Sequence, residues 1–272
     1  MFLSLILIIA RQSIIIILKS EGHSPSKVET ILKKNKIETG YGKAVSGVLY
    51  MVNPVKKMMM KTNCTVHKFI TMQAVLILKN DGYKTESDFF RTYISSINKG
   101  VQWADQDFKS SNHFYHHEKG IGLYGRSDLL TETLKFYNKA LNHLNNTDEI
   151  QKAMFDLGAA LHLVQDSTVP HHVNNKLLKS HRAFELWIVG RLMSDFSFAT
   201  YSGTIKYDRI ESYVEKNAVM ANDVYLKNVN VASKDQRYEK IAVEILHQAQ
   251  RTTAGMMLNF YEDMQNLKVL PQ

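Results

Sequence analysis

From Lys61 onward, apolar residues recur at helical spacing. Val66–Leu78 (VHKFITMQAVLIL) is a long apolar run, and Glu86–Asn98 is a second, amphipathic one. Asp128–Leu144 places Leu129, Leu130, Leu134, Tyr137, Ala140, Leu141 and Leu144 on a three-four stripe, the mark of a helix with one buried face. Thr147 and Asp148 are positioned to cap a fourth helix, rich in Ala and Leu, that runs to about Asp166, after which Pro170 interrupts. Leu177–Met193, Arg209–Val219 and Arg237–Asn266 predict a fifth, a sixth and a long last helix. No alternating strand pattern competes and no internal repeat is visible. The segments Asp107–Arg126 and Ser167–Lys176 are polar and carry histidines, so they read as loops covering one end of a bundle. The pattern predicts an all-α, multi-helix domain over residues 61–268.

Upstream the pattern changes. Phe2–Leu18 is strongly apolar but is broken by Arg11-Gln12. It reads either as a signal or anchor segment, although a positive n-region and an A-x-A-like site are missing, or as a leader ahead of a later start at Met58-Met59-Met60. With a charge inside it is marginal as a membrane span. Residues 20–60 have no sustained period, contain Pro25 and Pro54, and read as a linker. The first expectation is a hydrophobic leader plus linker over residues 1–60, on a protein that is secreted or associated with the outside of a membrane.

Composition adds two constraints. The single cysteine, Cys64, rules out an internal disulfide, and 13 glycines with four prolines in 272 residues favour long helices over a turn-dense β fold. The net charge of +8 is uneven: residues 1–60 hold nine Lys/Arg against three acids. The main domain is therefore nearly neutral, without the basic stripe that tracking a nucleic-acid backbone requires. No nucleic-acid or protein partner is expected, and the chain reads as a monomer.

The candidate chemistry lies in eight side chains: His67, Asp105, His113, His162, Asp166, His172, His181 and Glu185. Neutral imidazole and carboxylate are ligands that zinc accepts. His162/Asp166 and His181/Glu185 are four apart, which puts each pair on one helix face. Bundles build metal sites in this way, from side chains on facing helices. An aspartate can also bridge two cations, and two metals about 3.5–4 Å apart can activate water and neutralise a phosphoryl group. Each pair alone is more often a helix-stabilising contact than a metal site. His23, His116, His117, His143, His171 and His247 read as non-ligands, with His116 and His117 the nearest to an exception because they share a loop with His113.

From Thr65 to about Asp263 the chain resembles the bacterial zinc-dependent phospholipases C, the family of the Bacillus phosphatidylcholine-preferring enzyme and the clostridial alpha-toxin catalytic domain. The resemblance is carried by VHKFITMQAVLILKND (66–81), GVQWAD (100–105), NHFYHHE (112–118), FDLGAALHLVQDSTVPHHVNN (155–175), SHRAFELW (180–187) and AQRTTAGMMLNFYEDM (249–264). NHFYHHE is similar to the family's HFYDP segment, and residues 157–175 to LGxxLHYxGDxxxPxHxxN. The resemblance implies an all-helical domain with up to three Zn²⁺ ions at the bottom of a cleft. Asp105, His113, His162 and Asp166 would hold one ion, and Asp166 would bridge to the ion held by His67. His172, His181 and Glu185 would hold the third. Asp105 falls at the aspartate given base-like roles and is the expected catalytic residue.

Departures from the family pattern bear on specificity. The family completes one metal position with a processed N-terminal tryptophan, whereas the first tryptophan here is Trp103. Cys64 could supply a thiolate in its place, although its preferred reading is a buried small residue. The aromatic positions that cage choline hold Gln106 and Ser110, so preference for phosphatidylcholine does not carry over. The loops Gln106–Asn112 and Val173–Ser180 look shorter than in the Bacillus enzyme, His116 stands where the family has aspartate, and no C-terminal membrane-binding domain is seen. The implied activity is hydrolysis of membrane phospholipids to diacylglycerol and a phosphorylated head group by metal-activated water. The alternatives are a single-strand-specific zinc nuclease on the same scaffold, and a membrane-associated protein with a degenerate metal site.

Overall fold

The computed structural model describes residues 64–106, 112–122, 128–144, 149–174, 178–192 and 196–267. The expected leader and linker, the Thr147 and Asp148 caps, and Ser110 lie outside them. The described residues form α1 (Thr65–Asn80), α2 (Lys84–Ala104), α3 (Leu129–His143), α4 (Ile150–Asp166), α5 (Pro170–Val173), α6 (Leu178–Arg191), α7 (Glu211–Asn228) and α8 (Lys234–Asn266). A short 3₁₀ turn, Phe196–Phe198, precedes α7. The fold is all-helical, as the periodicity predicts, and no strand occurs among the described residues.

Helix α4 is the axis of the domain. From Leu157 to Asp166 every residue is buried, so it has no solvent face, as expected of a helix apolar nearly all round. Two glycines let it approach α2. A methyl on Gly100 would lie 2.8 Å from the carbonyl carbon of Phe155, and one on Gly158 would lie 2.9 Å from that of Ile97, each closer still to the oxygen. Backbone thus packs on backbone where α2 and α4 cross. Leu78, Phe90, Ile97, Leu157, Leu161 and Phe260 fill the main core around that crossing. A smaller core gathers Ile70, Phe184, Ile188, Tyr238 and Ile245 beneath α6.

Local chemistry sets the helix ends. Helix α1 stops in a Schellman arrangement: Tyr83 N–H donates to Leu78 O and Gly82 N–H to Lys79 O, with Gly82 at φ 101, a conformation open to glycine. Asp128 caps α3 by accepting from Thr131 N–H at 2.8 Å, and Ser233 caps α8. Pro170, read from sequence only as an interruption, occupies the first turn of α5, where its missing N–H costs nothing.

Two helices run further than the periodicity predicts. Helix α2 continues from Asn98 to Ala104 through Gly100, whose missing side chain hides a packing contact from any apolar count. Helix α7 runs nine residues past Val219 because its buried face carries amides. Asn217 donates to Val164 O and to Thr252 Oγ1 at 3.2 Å each, so it is satisfied inside the protein.

Candidate metal centre

The last turn of α4 presents His162 and Asp166 at one end of the bundle. The first turn of α1 brings His67 to the same place. The segment carrying His113 is laced to α5: Tyr115 N–H donates to His172 O at 3.0 Å, and His117 N–H donates to Val173 O at 3.4 Å. Helix α6 supplies His181 and Glu185 one turn apart.

These side chains converge on the Asp166 carboxylate, itself 4% exposed. One oxygen, Oδ2, lies 2.8 Å from His113 Nδ1 and 3.2 Å from His162 Nε2. The other, Oδ1, lies 3.4 Å from His67 Nε2 and 3.7 Å from His172 Nε2. His181 Nε2 lies 2.9 Å from Glu185 Oε1. Donor atoms fall into three groups, each within 4.8 Å: Cys64, His67 and His162; His113, His162 and Asp166; and His172, His181 and Glu185. The Glu185 side chain is 52% exposed, so the third group opens to solvent while the second is enclosed.

The site carries the marks of metal ligation. The buried Nε2 atoms of His162 and His181 have no hydrogen-bond partner, although a carboxylate lies close to each. Lone pairs that approach without pairing suit a shared cation, and unpaired buried nitrogens otherwise destabilise a fold. His172 is oriented from behind: its Nδ1–H donates to His113 O at 2.7 Å, leaving Nε2 as a lone pair toward Asp166. Such backing is the usual partner of a metal-ligating imidazole. Asp166 ends α4, and Asp105 caps the C-terminus of α2. Helix dipoles disfavour anions at both places, so these carboxylates sit where a nearby cation would be welcome.

Electrostatics divide the imidazoles: burial works against charge on His162, but Asp166 overcomes it and pulls that imidazole well up. Burial alone would raise the Asp166 carboxyl, but the imidazoles of His172 and His162 and the bond from His113 outweigh it and hold it well below the ordinary range. Burial and mutual repulsion push His67 down, and burial drives His172 well down, which favours the neutral form that binds metals. Burial also works against charge on His181, but Glu185 overcomes it and pulls the imidazole up.

Asp105 is half-buried and falls in none of the three donor groups, but its charge acts on His67, Cys64 and His181. Cys64 is buried, as its preferred reading holds, and burial raises its thiol above the ordinary range. It adopts a left-handed φ of 45 at the N-cap of α1, with Sγ 3.8 Å from His162 Nδ1. Among histidines read as non-ligands, His171 is buried beside the site, with its ring 5.4 Å from His181 and Nε2 paired to Ser180 Oγ at 2.9 Å. His143 instead ties α3 to α4, through Glu149 at 2.6 Å and the buried Asp156 at 3.1 Å. His247 bonds Ser197 O at 2.7 Å.

Sequence reading did not find Gln165 or Thr71. Gln165 Oε1 lies 2.9 Å from His67 Nδ1, and Gln165 Nε2 lies 3.1 Å from Thr71 Oγ1. Uncharged groups carry no ligand signal, and only their place between His162 and Asp166, or one turn after His67, could have drawn attention to them.

The family profile described as zinc dependent phospholipase C matches residues 66–235, more than half the chain. The chain belongs to the zinc-dependent phospholipase C family. A phospholipase C of Clostridium haemolyticum is 22% identical over 233 residues, covering 73% of this chain and 58% of that protein. The alpha-toxin of Clostridium absonum superposes with a TM-score of 0.65 at 19% identity, covering 76% of this chain and 65% of that one. The alpha-toxin of an avian Clostridium perfringens strain gives 0.63 at 18% identity, over 74% and 64%. The chain spans about three fifths of the length of these relatives.

Proposed function

We propose that this chain is a zinc-dependent phosphodiesterase that hydrolyses phospholipids to diacylglycerol and a phosphorylated head group. The observation that carries the proposal is the convergence of buried imidazoles on one ionised aspartate, with the Nε2 atoms of His162 and His181 unpaired. His113, His162 and Asp166, with Asp105, would hold one ion; His67 and Asp166 a second; His172, His181 and Glu185 a third. When bound, the ions supply Lewis acidity, which lowers the pKa of water and offsets charge on a phosphoryl group.

The chain's own residues do the rest. Asp166 stays ionised and spans two positions, because each of its oxygens faces a different pair of histidines. His172 presents a neutral lone pair because its Nδ1–H is held by a backbone carbonyl. Asp105, whose charge acts on His67 and His181, completes the ligand shell or positions the attacking water, whose proton passes to solvent as the phosphorus–oxygen bond forms. Solvent protonates the departing glycerol oxygen. The exposed Glu185 leaves the third group open on the side where a head group enters.

The substrate surface is a phospholipid membrane met from outside the cell by a domain spanning 61–268. No described helix is long and apolar enough to cross that membrane. The test is hydrolysis of phospholipid vesicles against single-stranded DNA, with metal analysis of the same preparation. Release of phosphorylated head group with two or more zinc ions per chain supports the proposal. Cleavage of DNA alone would establish the nuclease alternative, and fewer than two zinc ions with no phosphodiester hydrolysis would establish the degenerate site.

A further inference from the structure

We infer that Gln165 is a positioning residue that fixes which nitrogen of His67 faces the metal centre, an inference that rests on the ligand reading above. The Thr71 hydroxyl donates to His67 O at 2.9 Å, which uses its one proton. Its oxygen can then only accept, so the group 3.1 Å away on Gln165 must be the amide NH₂. The other end of that amide is therefore the carbonyl, an acceptor, and it lies 2.9 Å from His67 Nδ1. His67 Nδ1 must carry the proton. Nε2 is left as the lone pair, and it is the nitrogen that lies 3.4 Å from Asp166 Oδ1.

The amide cannot turn over to undo this. Its NH₂ end is also shared with Thr253 Oγ1 at 3.4 Å, and Gln165 is 1% exposed, so no solvent competes for either end. A flip would leave the carbonyl facing the oxygen of the Thr71 hydroxyl, whose proton is already committed to His67 O. Gln165 sits between His162 and Asp166 on α4, while His67 and Thr71 are one turn apart on α1. The amide therefore joins the two helices that bring donors to Asp166. It does for His67 what the His113 carbonyl does for His172.

Zinc retention in wild type, Gln165→Leu and Gln165→Glu, measured by competition with a chromophoric chelator, tests this. Leucine keeps the bulk and removes the acceptor, so one zinc should be released about 10- to 100-fold more readily. Glutamate keeps an acceptor toward Nδ1–H and should hold zinc close to wild type. A merely structural role would lower the unfolding temperature of both variants without separating their zinc retention. Equal retention in Leu and wild type, or equal loss in Leu and Glu, would overturn the inference. Long-range ¹H–¹⁵N spectra of zinc-loaded wild type need no variant: Nδ1 of His67 should be protonated and Nε2 metal-bound, and the reverse would overturn it. Wild type that binds no zinc would sink the ligand reading instead, while the same spectra would still report whether Nδ1 carries the proton.

Discussion

Replacing Gly158 with alanine tests the packing that delivers α4 to the site. The added methyl would lie 2.9 Å from the carbonyl carbon of Ile97 and 3.1 Å from its Cα, where ordinary contact begins near 3.4 Å. Those atoms are backbone of α2 and cannot rotate away, so the helices must part. Overpacking of this kind costs about 1–3 kcal/mol, and rigid backbone on both sides argues for the upper end. Alanine returns about 1 kcal/mol of helix propensity over glycine. The net destabilisation is then about 2 kcal/mol, or a fall of about 4–8 °C in unfolding temperature for a domain of this size. Circular dichroism during heating measures it. Gly190→Ala, in α6 with nothing within 4 Å of the added methyl, is the control and should stabilise slightly. Since His162 lies one turn beyond Gly158, the variant should also bind zinc more weakly. An unfolding temperature for Gly158→Ala at or above wild type would refute the close crossing.

Other expectations follow from single contacts. Asp81 accepts from Gly203 N–H and from both the N–H and hydroxyl of Thr204; against its own burial, these bonds hold its carboxyl below the ordinary range. Its stabilising contribution should therefore be full above about pH 4 and fade as pH falls through the lowered value, so urea unfolding of Asp81→Asn should converge on wild type in acid. A gap that widens in acid would contradict this. Tyr137→Phe leaves Asp263 without its 2.7 Å partner and should cost about 1–2 kcal/mol in urea unfolding; no loss would show the bond to be idle. Asp105→Asn should lower phospholipid hydrolysis by about 100-fold or more while unfolding temperature stays near wild type, and unchanged turnover would remove Asp105 from the chemistry.

Helices with an apolar face were legible because burial and spacing coincide. Helix α3 starts and stops within a residue of the stripe that predicts it. Where the buried face is polar or lacks a side chain, the signal fails. Asn217 and Asn222 line the inside of α7 and look like surface residues in sequence, and Gly100 in α2 looks like a break. The site shows the same division. Charged and imidazole donors stood out by type and spacing, and seven of the eight fall into the donor groups. Asp105 is the exception, set apart by distance but coupled by charge. Gln165 was hidden because an amide gains meaning only from what lies across from it. The Cys64 sulfur near His162 depends on a left-handed residue just before α1, which no periodicity encodes.

X-ray anomalous scattering at the zinc absorption edge, on crystals grown from zinc-loaded protein, measures the central claim most directly. One peak is expected among His113, His162 and Asp166, a second beside His67 and Asp166, and a third among His172, His181 and Glu185; Asp166→Asn should weaken the first two and Glu185→Gln the third. Zinc confined to surface histidines, or no peak within bonding distance of Asp166, would contradict it.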